Sequence, residues 1–372
     1  MVRFTLTKPS DLAAVADRWR SLEARADPSF FQTWTWVGCL AEERFSDPVL
    51  LAAEDDGRTV ALALFNCSRR PFAPTLYLGE SGASELDSVF VEHNGLLIER
   101  GREALLPALL RAAIDARIVG ERWARRWRLV LSGVGEQPLA AARAVIPNDD
   151  HIRLLQMRPA PFVDLAGLRR AGSGFLQSLS ANTRYQLRRS ARRYAGSGPL
   201  AIERPATLEE AWDFLDALAA LHQETWEGRG LHGKFAVPVF LRFHRTLLER
   251  ALPRGEADLL RVTAGERTIG YLYNFRFRGR VLAYQSGFAY ADAGRHEKPG
   301  LACHHMAIEA CLAETVACYD FLAGADRYKT SLANGSVPLY WLEIAPRWST
   351  ENALTGLQDV AQAWLGARRQ QP

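Results

Sequence analysis

VLAYQSGFAYADAGRHEKPGLACHHMAIEACLAETVACYDFLAGADRYKTSLAN, residues 281–334, is the stretch that decides the fold. VLAYQSGF (281–288) is β-branched and aromatic, which predicts a strand. LACHHMAIEACLAE (301–314) is rich in alanine and leucine, and Ile308, Cys311 and Leu312 recur at helical spacing, which predicts a helix. CYDFL (318–322) is a short apolar run closed by Gly324, which predicts a second strand. Strand, crossover helix and strand make a parallel pair. Before the helix stands Arg295-His296-Glu297-Lys298-Pro299-Gly300. A helix N-terminus offers backbone N–H groups and a positive dipole end, so cations placed there make an anion cradle. The same residues also suit an ordinary turn with solvated charges.

Upstream, residues 258–288 form a three-stranded meander with turns at Ala-Gly-Glu-Arg and Arg-Gly-Arg. Gly270 and Gly287 interrupt its strands, which signals a bulge or a close approach of backbone. Helices are predicted over 207–226, with Thr207 and Glu210 as a capping box, and over 237–252. Between them EGRGLHGKF (227–235) is a glycine-rich loop carrying Arg229, His232 and Lys234. His222 reads as a helix-end histidine. FLQSLSANTRYQLRRSARRYAGSG (175–198) holds Arg184, Arg188, Arg189, Arg192 and Arg193 with no acid. Arg184, Arg188 and Arg192 are four apart, so one helical stripe is basic. That stripe is either a solvated face or an anion-binding one.

Proline and glycine at 158–174 mark a boundary. Before it come helices over 10–25, 30–45 and 103–119, a hairpin over 49–69 and strands over 75–80 and 126–134. Phe31, Trp34 and Trp36 read as core. LLAAEDDGRTVALALFN (50–66) echoes LLRVTAGERTIGYLYNF (259–275), which indicates two related halves from an old duplication. The first copy has no counterpart of the 295–300 loop, so the chemistry is expected in the second. The expected division is an N-terminal half over 1–160, a linking basic helix over 161–200 and a catalytic domain over 201–372.

The 372 residues are 48% hydrophobic, as in a globular protein, and a net charge of +4 is too weak to argue for DNA. Five cysteines (Cys39, Cys67, Cys303, Cys311, Cys318) without CxxC pairing read as reduced thiols packed in a core, hence a cytoplasmic protein. MVRFTLTKPSDL lacks the apolar region of a signal peptide, and no apolar run reaches a membrane span. His304 and His305 are adjacent and point to different faces, and no HExxH or Cys/His set exists, so no metal is expected. His304 shares an apolar stripe with Leu301 and Ile308 and reads as packed rather than catalytic.

Meander, bulged strand, glycine loop, helix and strand, in that order, resemble the GNAT acyltransferase fold. The stretch 162–334 is similar to the CelD/BcsL-type acetyltransferases and, more distantly, to the Fem-type aminoacyl transferases. The matching pieces are FVDL (162–165), SANTRYQLRRSARRY (180–194), LHQETWEGRGLHGKF (221–235), GYLYNFRFRGRVLAYQSGF (270–288), RHEKPGL (295–301) and YDFLAGADRYK (319–329). The resemblance implies an α/β (α+β) protein of tandem GNAT-like domains, each a mixed, mostly antiparallel sheet flanked by helices. It implies acetyl-CoA or another acyl-CoA as donor, a small-molecule or sugar acceptor, and links to polysaccharide-synthesis proteins. The GNAT pyrophosphate signature places Gln or Arg three residues before Gly-x-Gly/Ala. Here Gly300-Leu301-Ala302 fits, but Glu297 holds the basic position. Arg295, His296 and Lys298 are then the candidates to hold the pyrophosphate with that turn. Fem-type relatives take their acyl group from tRNA, which stays open as the alternative donor.

GNAT-type transfer is a direct attack, so no cysteine need be a nucleophile. The resemblance points to Lys329 as the cation nearest the developing charge. Tyr328 is placed to donate to the leaving group. Asp320, in the middle of an apolar strand, reads either as base or orienting group, or as the partner of an arginine. Arg184, Trp226, Arg229, Tyr284 and Gln285 fall within the matching pieces as candidates for acceptor binding. An assembly subunit that keeps the fold without turnover is the non-enzymatic alternative.

Overall fold

The computed structural model describes residues 1–70, 73–115, 127–146, 150–231 and 233–346. His232, the end of the predicted helix 103–119 and the start of the predicted strand 126–134 lie outside the described residues. The first half runs β1 (Arg3–Thr7), α1 (Leu12–Glu23), α2 (Trp34–Arg44), β2 (Pro48–Asp55), β3 (Arg58–Arg70), β4 (Ala73–Leu78), β5 (Leu97–Ile98), α3 (Leu106–Asp115), β6 (Arg128–Val134), α4 (Glu136–Val145) and β7 (Asp150–Asp164). The second runs α5 (Leu165–Arg170), α6 (Phe175–Ser178), α7 (Ala181–Tyr194), β8 (Leu200–Glu203), α8 (Leu208–Glu227), α9 (Pro238–Ala251), β9 (Ala257–Ala264), β10 (Arg267–Phe277) and β11 (Arg280–Phe288). It closes with α10 (Pro299–Ala313), β12 (Cys318–Asp320), α11 (Arg327–Leu332) and β13 (Gly335–Pro346). Side-chain caps start α1, α2, α7 and α8, where Asp11, Thr33, Ser180 and Thr207 accept from the first-turn N–H groups of Ala13, Trp36, Thr183 and Glu210.

All strands among the described residues share one 13-stranded sheet in the order β1-β2-β3-β4-β6-β13-β7-β12-β11-β10-β9-β8, with β5 beside β3. Read inward from its edges, β1-β2-β3-β4-β6 mirrors β8-β9-β10-β11-β12. The parallel pairs are β4–β6 and β11–β12. The duplication expected from the echo is therefore a structural one. At the centre the halves exchange strands. β7, from the end of the first half, pairs with β12; β13, from the end of the second, pairs with β6. The two also pair with each other from Gly335–Phe162 to Pro346–Asp150. The proline signal at 158–174 thus opens inside a central strand and not in a linker. Proline lacks an N–H, which usually confines it to sheet edges. Here the chain after β12 asks only for carbonyls: Phe321 N–H donates to Pro161 O and Gly324 N–H to Pro159 O, both at 2.9 Å. Nor do residues 165–194 merely link. Phe175, Leu187 and Tyr194 are buried with Val262 and Ile308 in the core of the second half.

Helices α1, α2, α8 and α9 share one core between the halves. Its aromatics bridge them: Phe30 stacks on Phe275 at 4.3 Å, and Trp36 meets Phe243 at 5.3 Å. The expectation that Phe31, Trp34 and Trp36 pack holds. A Cβ on Gly287 would lie 2.3 Å from Leu218 O, so the bare glycine lets α8 approach β11 backbone to backbone.

The parallel pairs open a wedge where their strands part, and the halves treat it differently. In the first half pairing ends at Leu78 and Leu131. Asn94 fills the wedge: its Nδ2 donates to Leu78 O and Ser132 O, each at 3.1 Å, and its N–H to Gly133 O at 2.9 Å. Gly133 is left-handed at φ +65°, and a Cβ there would lie 2.1 Å from Val91 O. Residues 91–94 are thus a plug. In the second half pairing ends at Leu282 and Asp320, and a cleft lies beyond it. Gly133→Ala is expected to destabilise by more than about 2 kcal/mol, since strain and clash add. Gly57→Ala, also left-handed but with nothing within 4 Å, should cost no more than about 1–2 kcal/mol. Urea unfolding of the two variants tests this; equal midpoints would remove the plug from the account.

Candidate active site

The cleft encloses about 690 Å³. Ala283–Ser286 of β11 form one wall and Phe321–Asp326, the chain leaving β12, the other. His222 and Trp226 of α8, Tyr328 and Lys329 of α11, Met157–Pro159 of β7, and Phe90 and Glu92 complete it. Glu92 lies in the plug and Phe90 just before it, so the segment that fills the first wedge also walls the second.

Lys329 Nζ donates to Ala323 O at 2.8 Å, and its side chain is 12% exposed. Burial lowers its pKa, Glu92 chiefly opposes the shift, and Arg158 adds to it. Gly324, at φ +140°, would bring a Cβ within 3.0 Å of that nitrogen, so the glycine makes room for the ammonium. Glu92 is fully enclosed and Oε2 accepts from Ala323 N–H. Burial pushes its carboxyl up to about 7; the Ala323 N–H, Lys329 and His93 hold it back, and Asp320 adds to the rise. Ala323 therefore holds a carboxyl at its N–H and an ammonium at its carbonyl. Tyr328 stacks on His304 at 5.2 Å, and burial raises its pKa, so the hydroxyl stays protonated. His304 Nδ1 lies 3.0 Å from Tyr319 OH, and burial lowers the ring to about 3. It packs, as expected, behind Tyr328. His222 accepts from Trp226 Nε1 at 2.9 Å, and burial lowers it to about 4. Both histidines are neutral at pH 7.

Asp320 does not line the cleft. Its Oδ2 lies 2.9 Å from Arg280 Nη2 and 3.0 Å from His93 Nε2, and Oδ1 accepts from Leu322 N–H at 2.8 Å. Burial favours protonation, but His93, Arg280 and that N–H outweigh it, and the pKa falls. The reading as an arginine partner is the one the geometry bears out. Arg184 is also away from the cleft. Leu187 and Tyr194 turn one side of α7 into the core, so the Arg184–Arg188–Arg192 stripe faces outward over a separate hollow. Tyr284, Gln285, Trp226 and Arg229 do line the cleft. Tyr284 OH donates to Phe90 O at 3.4 Å, and Arg229 lies 5.6 Å from the Trp226 ring centre.

Glu297 folds back onto Arg267 Nη2 at 2.9 Å and accepts from Gly294 N–H. The acid in the basic position of the signature is thereby neutralised. Ala302 N–H is spent on Lys298 O, and Lys298 N–H on Ser190 Oγ. This corrects Ala302 as a ligand through its backbone: it closes the first turn of α10. The N–H groups of Gly300 and Leu301 lie inside that turn, where no helical carbonyl reaches them, and stay available. His296 sits at φ +74° among Arg189, Arg295, Arg193 and Lys298; burial and these charges lower its pKa. Helix α7 therefore adds two arginines to the cradle. Two free N–H groups and this many cations fit a pyrophosphate.

Sequence reasoning missed Glu92. The run DSVFVEHNGLLI (87–98) has no period that predicts an element. Its one signal is an acid that directly follows the apolar run Val89-Phe90-Val91. All five cysteines are buried. Among the described residues no group of three or more His, Cys, Asp or Glu could hold a metal. Nor is any helix among them long and apolar enough to cross a membrane.

Residues 181–330 match the family described as an acetyltransferase (GNAT) domain. No curated protein matches the sequence. Among solved structures the chain resembles FemX, with a TM-score of 0.60 at 10% identity, covering 92% of this chain and 97% of that one. It also resembles L-PGS from Bacillus licheniformis, with a TM-score of 0.52 at 10% identity, covering 93% and 95%. A conserved protein of unknown function from Bacteroides thetaiotaomicron gives 0.53 at 9% identity, covering 92% and 100%. Residues 181–330 thus match a GNAT domain, and over nearly its whole length the chain shares its fold with FemX and L-PGS.

Proposed function

We propose that this chain, a GNAT-type transferase, moves an acyl group from acyl-CoA, acetyl-CoA first among them, to an amine or hydroxyl of an acceptor held in the cleft. The observation that carries the reading is Glu92 and Lys329 set on the two polar groups of Ala323, where β11 and β12 part. The acceptor's nucleophile attacks the thioester carbonyl, and its proton passes to the Glu92 carboxylate. The new C–N or C–O bond forms, Lys329 opposes the charge on the carbonyl oxygen, and the C–S bond breaks. The thiolate takes a proton from the Tyr328 hydroxyl. Burial pushes the Cys39, Cys311 and Cys318 thiols up to about 12, which argues against a thiolate nucleophile and for direct attack. Arg295, His296, Lys298 and the N–H groups of Gly300 and Leu301 would hold the CoA pyrophosphate, with Arg189 and Arg193 beside them. Asp320 acts by fixing His93, next in sequence to Glu92. A place in cell-surface polysaccharide synthesis rests on the resemblance to the CelD/BcsL type.

The test is release of free CoA from acetyl-CoA in the presence of amino sugars, nucleotide sugars and simple amines. Saturable binding of acetyl-CoA, and release that depends on one acceptor class, are expected. Absence of acetyl-CoA binding would sink the reading and move the donor to aminoacyl-tRNA.

A further inference from the structure

Besides Lys329, three cations line the cleft from three different elements. Arg158 comes from β7, Arg229 from the turn after α8, and Lys234 from the turn before α9. Each is held over an aromatic face rather than beside an acid. Arg158 lies 5.9 Å from the Trp341 ring centre, Arg229 5.6 Å from Trp226, and Lys234 Nζ 4.4 Å from Phe90. None has an acidic partner among the described residues. Elsewhere comparable arginines do: Arg280 meets Asp320 and Arg267 meets Glu297. Of the acids lining the cleft, Glu92 is tied to Ala323, and Asp326 is 63% exposed at 3.9 Å from Lys329. Burial lowers the pKa of Lys234 and of Lys329, and the charge of Arg158 adds to both shifts. Like charges held together in a half-closed cleft, without a counter-ion of their own, are destabilising until an anion joins them. Aromatic faces fix their positions without neutralising them.

We propose that the acceptor carries an anionic group, a phosphate or a carboxylate, and that Arg158 and Lys234 bind it with Arg229 at the rim. The word acceptor rests on the acyl-transfer reading; the anion site does not. The guanidinium of Arg158 can take either group through two N–H donors, with Lys234 adding a point charge. The nucleophile would then be presented toward Glu92 and Lys329 from the opposite end of the molecule. An acceptor without the anion would lose its anchor and show a raised KM.

The experiment is thermal unfolding of the full chain at constant ionic strength, with the loop cradle occupied by saturating free CoA, titrated with inorganic phosphate or with malonate. Wild type is compared with Arg158→Ala/Lys234→Ala, and with Arg189→Ala/Arg193→Ala to remove charge from the loop cradle instead. Wild type and the Arg189/Arg193 variant should be stabilised by at least one of the two probes. The Arg158/Lys234 variant should need at least tenfold more of that probe, while its unliganded melting temperature holds or rises. Which probe acts separates phosphate from carboxylate. The proposal is overturned if neither probe stabilises wild type, if the Arg158/Lys234 variant responds as wild type does, or if it melts lower without ligand, which would make these cations structural. Acetyl-CoA binding, measured on the same proteins, should survive the Arg158/Lys234 change. If wild type itself fails to bind acetyl-CoA, the acyl-transfer reading falls while the anion response still stands.

Discussion

Lys329→Met lowers kcat by about 10²–10³-fold, the usual cost of removing one donor from a developing oxyanion. KM for both substrates should move little, because the ammonium is needed in the transition state more than in the ground state. Methionine keeps the length and the apolar stem, so the site still packs. Burial already disfavours the charge of Lys329, so its removal should cost little stability. Two things change locally: Ala323 O loses its donor at 2.8 Å, and Glu92 loses a facing cation. Steady-state CoA release and urea unfolding on the same preparation separate the effects. Activity within fivefold of wild type would mean that another cation faces the oxyanion.

Glu92→Gln should have the next largest effect, a fall of about 10²–10³-fold in kcat/KM, within the range of positioned general bases. Its pH signature is more specific. Folded, the carboxyl titrates near 7; its ordinary value is 4.5. In wild type the base is formed as pH rises through about 7, so the rate should rise there on the acidic limb. The glutamine variant should lose that limb. Stability moves the other way. Between about pH 4.5 and 7 the folded chain holds a proton that the unfolded chain has released, so stability declines as pH rises through this window. Glu92→Gln should flatten that decline. The groups facing the carboxyl are Lys329, His93, Asp320 and the Tyr284 hydroxyl, with Ala323 N–H as donor. None is altered by the substitution. A variant whose rate still climbs through pH 7 would assign the limb to another group.

The second half was legible because its elements are regular and carry punctuation. β11, α10 and β12 fall within a few residues of VLAYQSGF, LACHHMAIEACLAE and CYDFL, and the β11–β12 pair is parallel as the crossover requires. The echo between 50–66 and 259–275 predicts two halves, and the sheet order shows them. What escaped has a common cause: it depends on residues far apart in sequence. β7 hides behind Pro159 and Pro161, whose missing N–H groups matter only if one knows which side of the strand is paired. Asp320 could be assigned to Arg280 and His93 only once the first half was seen beside β12. Glu297 looks like a fault in a phosphate loop until Arg267, thirty positions upstream, is found against it. Lys329 and Tyr328 came from the resemblance, the 295–300 loop from its cations at a helix start, and the structure groups the first two with Glu92. Only Glu92 itself had no regular element to announce it.

The exchange of β7 and β13 bears on how such a chain can change over generations. A gene that doubles usually leaves one copy free to erode or to be deleted. Here each copy finishes the other's sheet, so a deletion that removed the first would strip β12 of its neighbour and expose a raw edge at the mouth of the cleft. Drift is then confined to what the shared sheet leaves free. In the first copy the wedge is closed over its own backbone, and the residues that close it also face the sister copy.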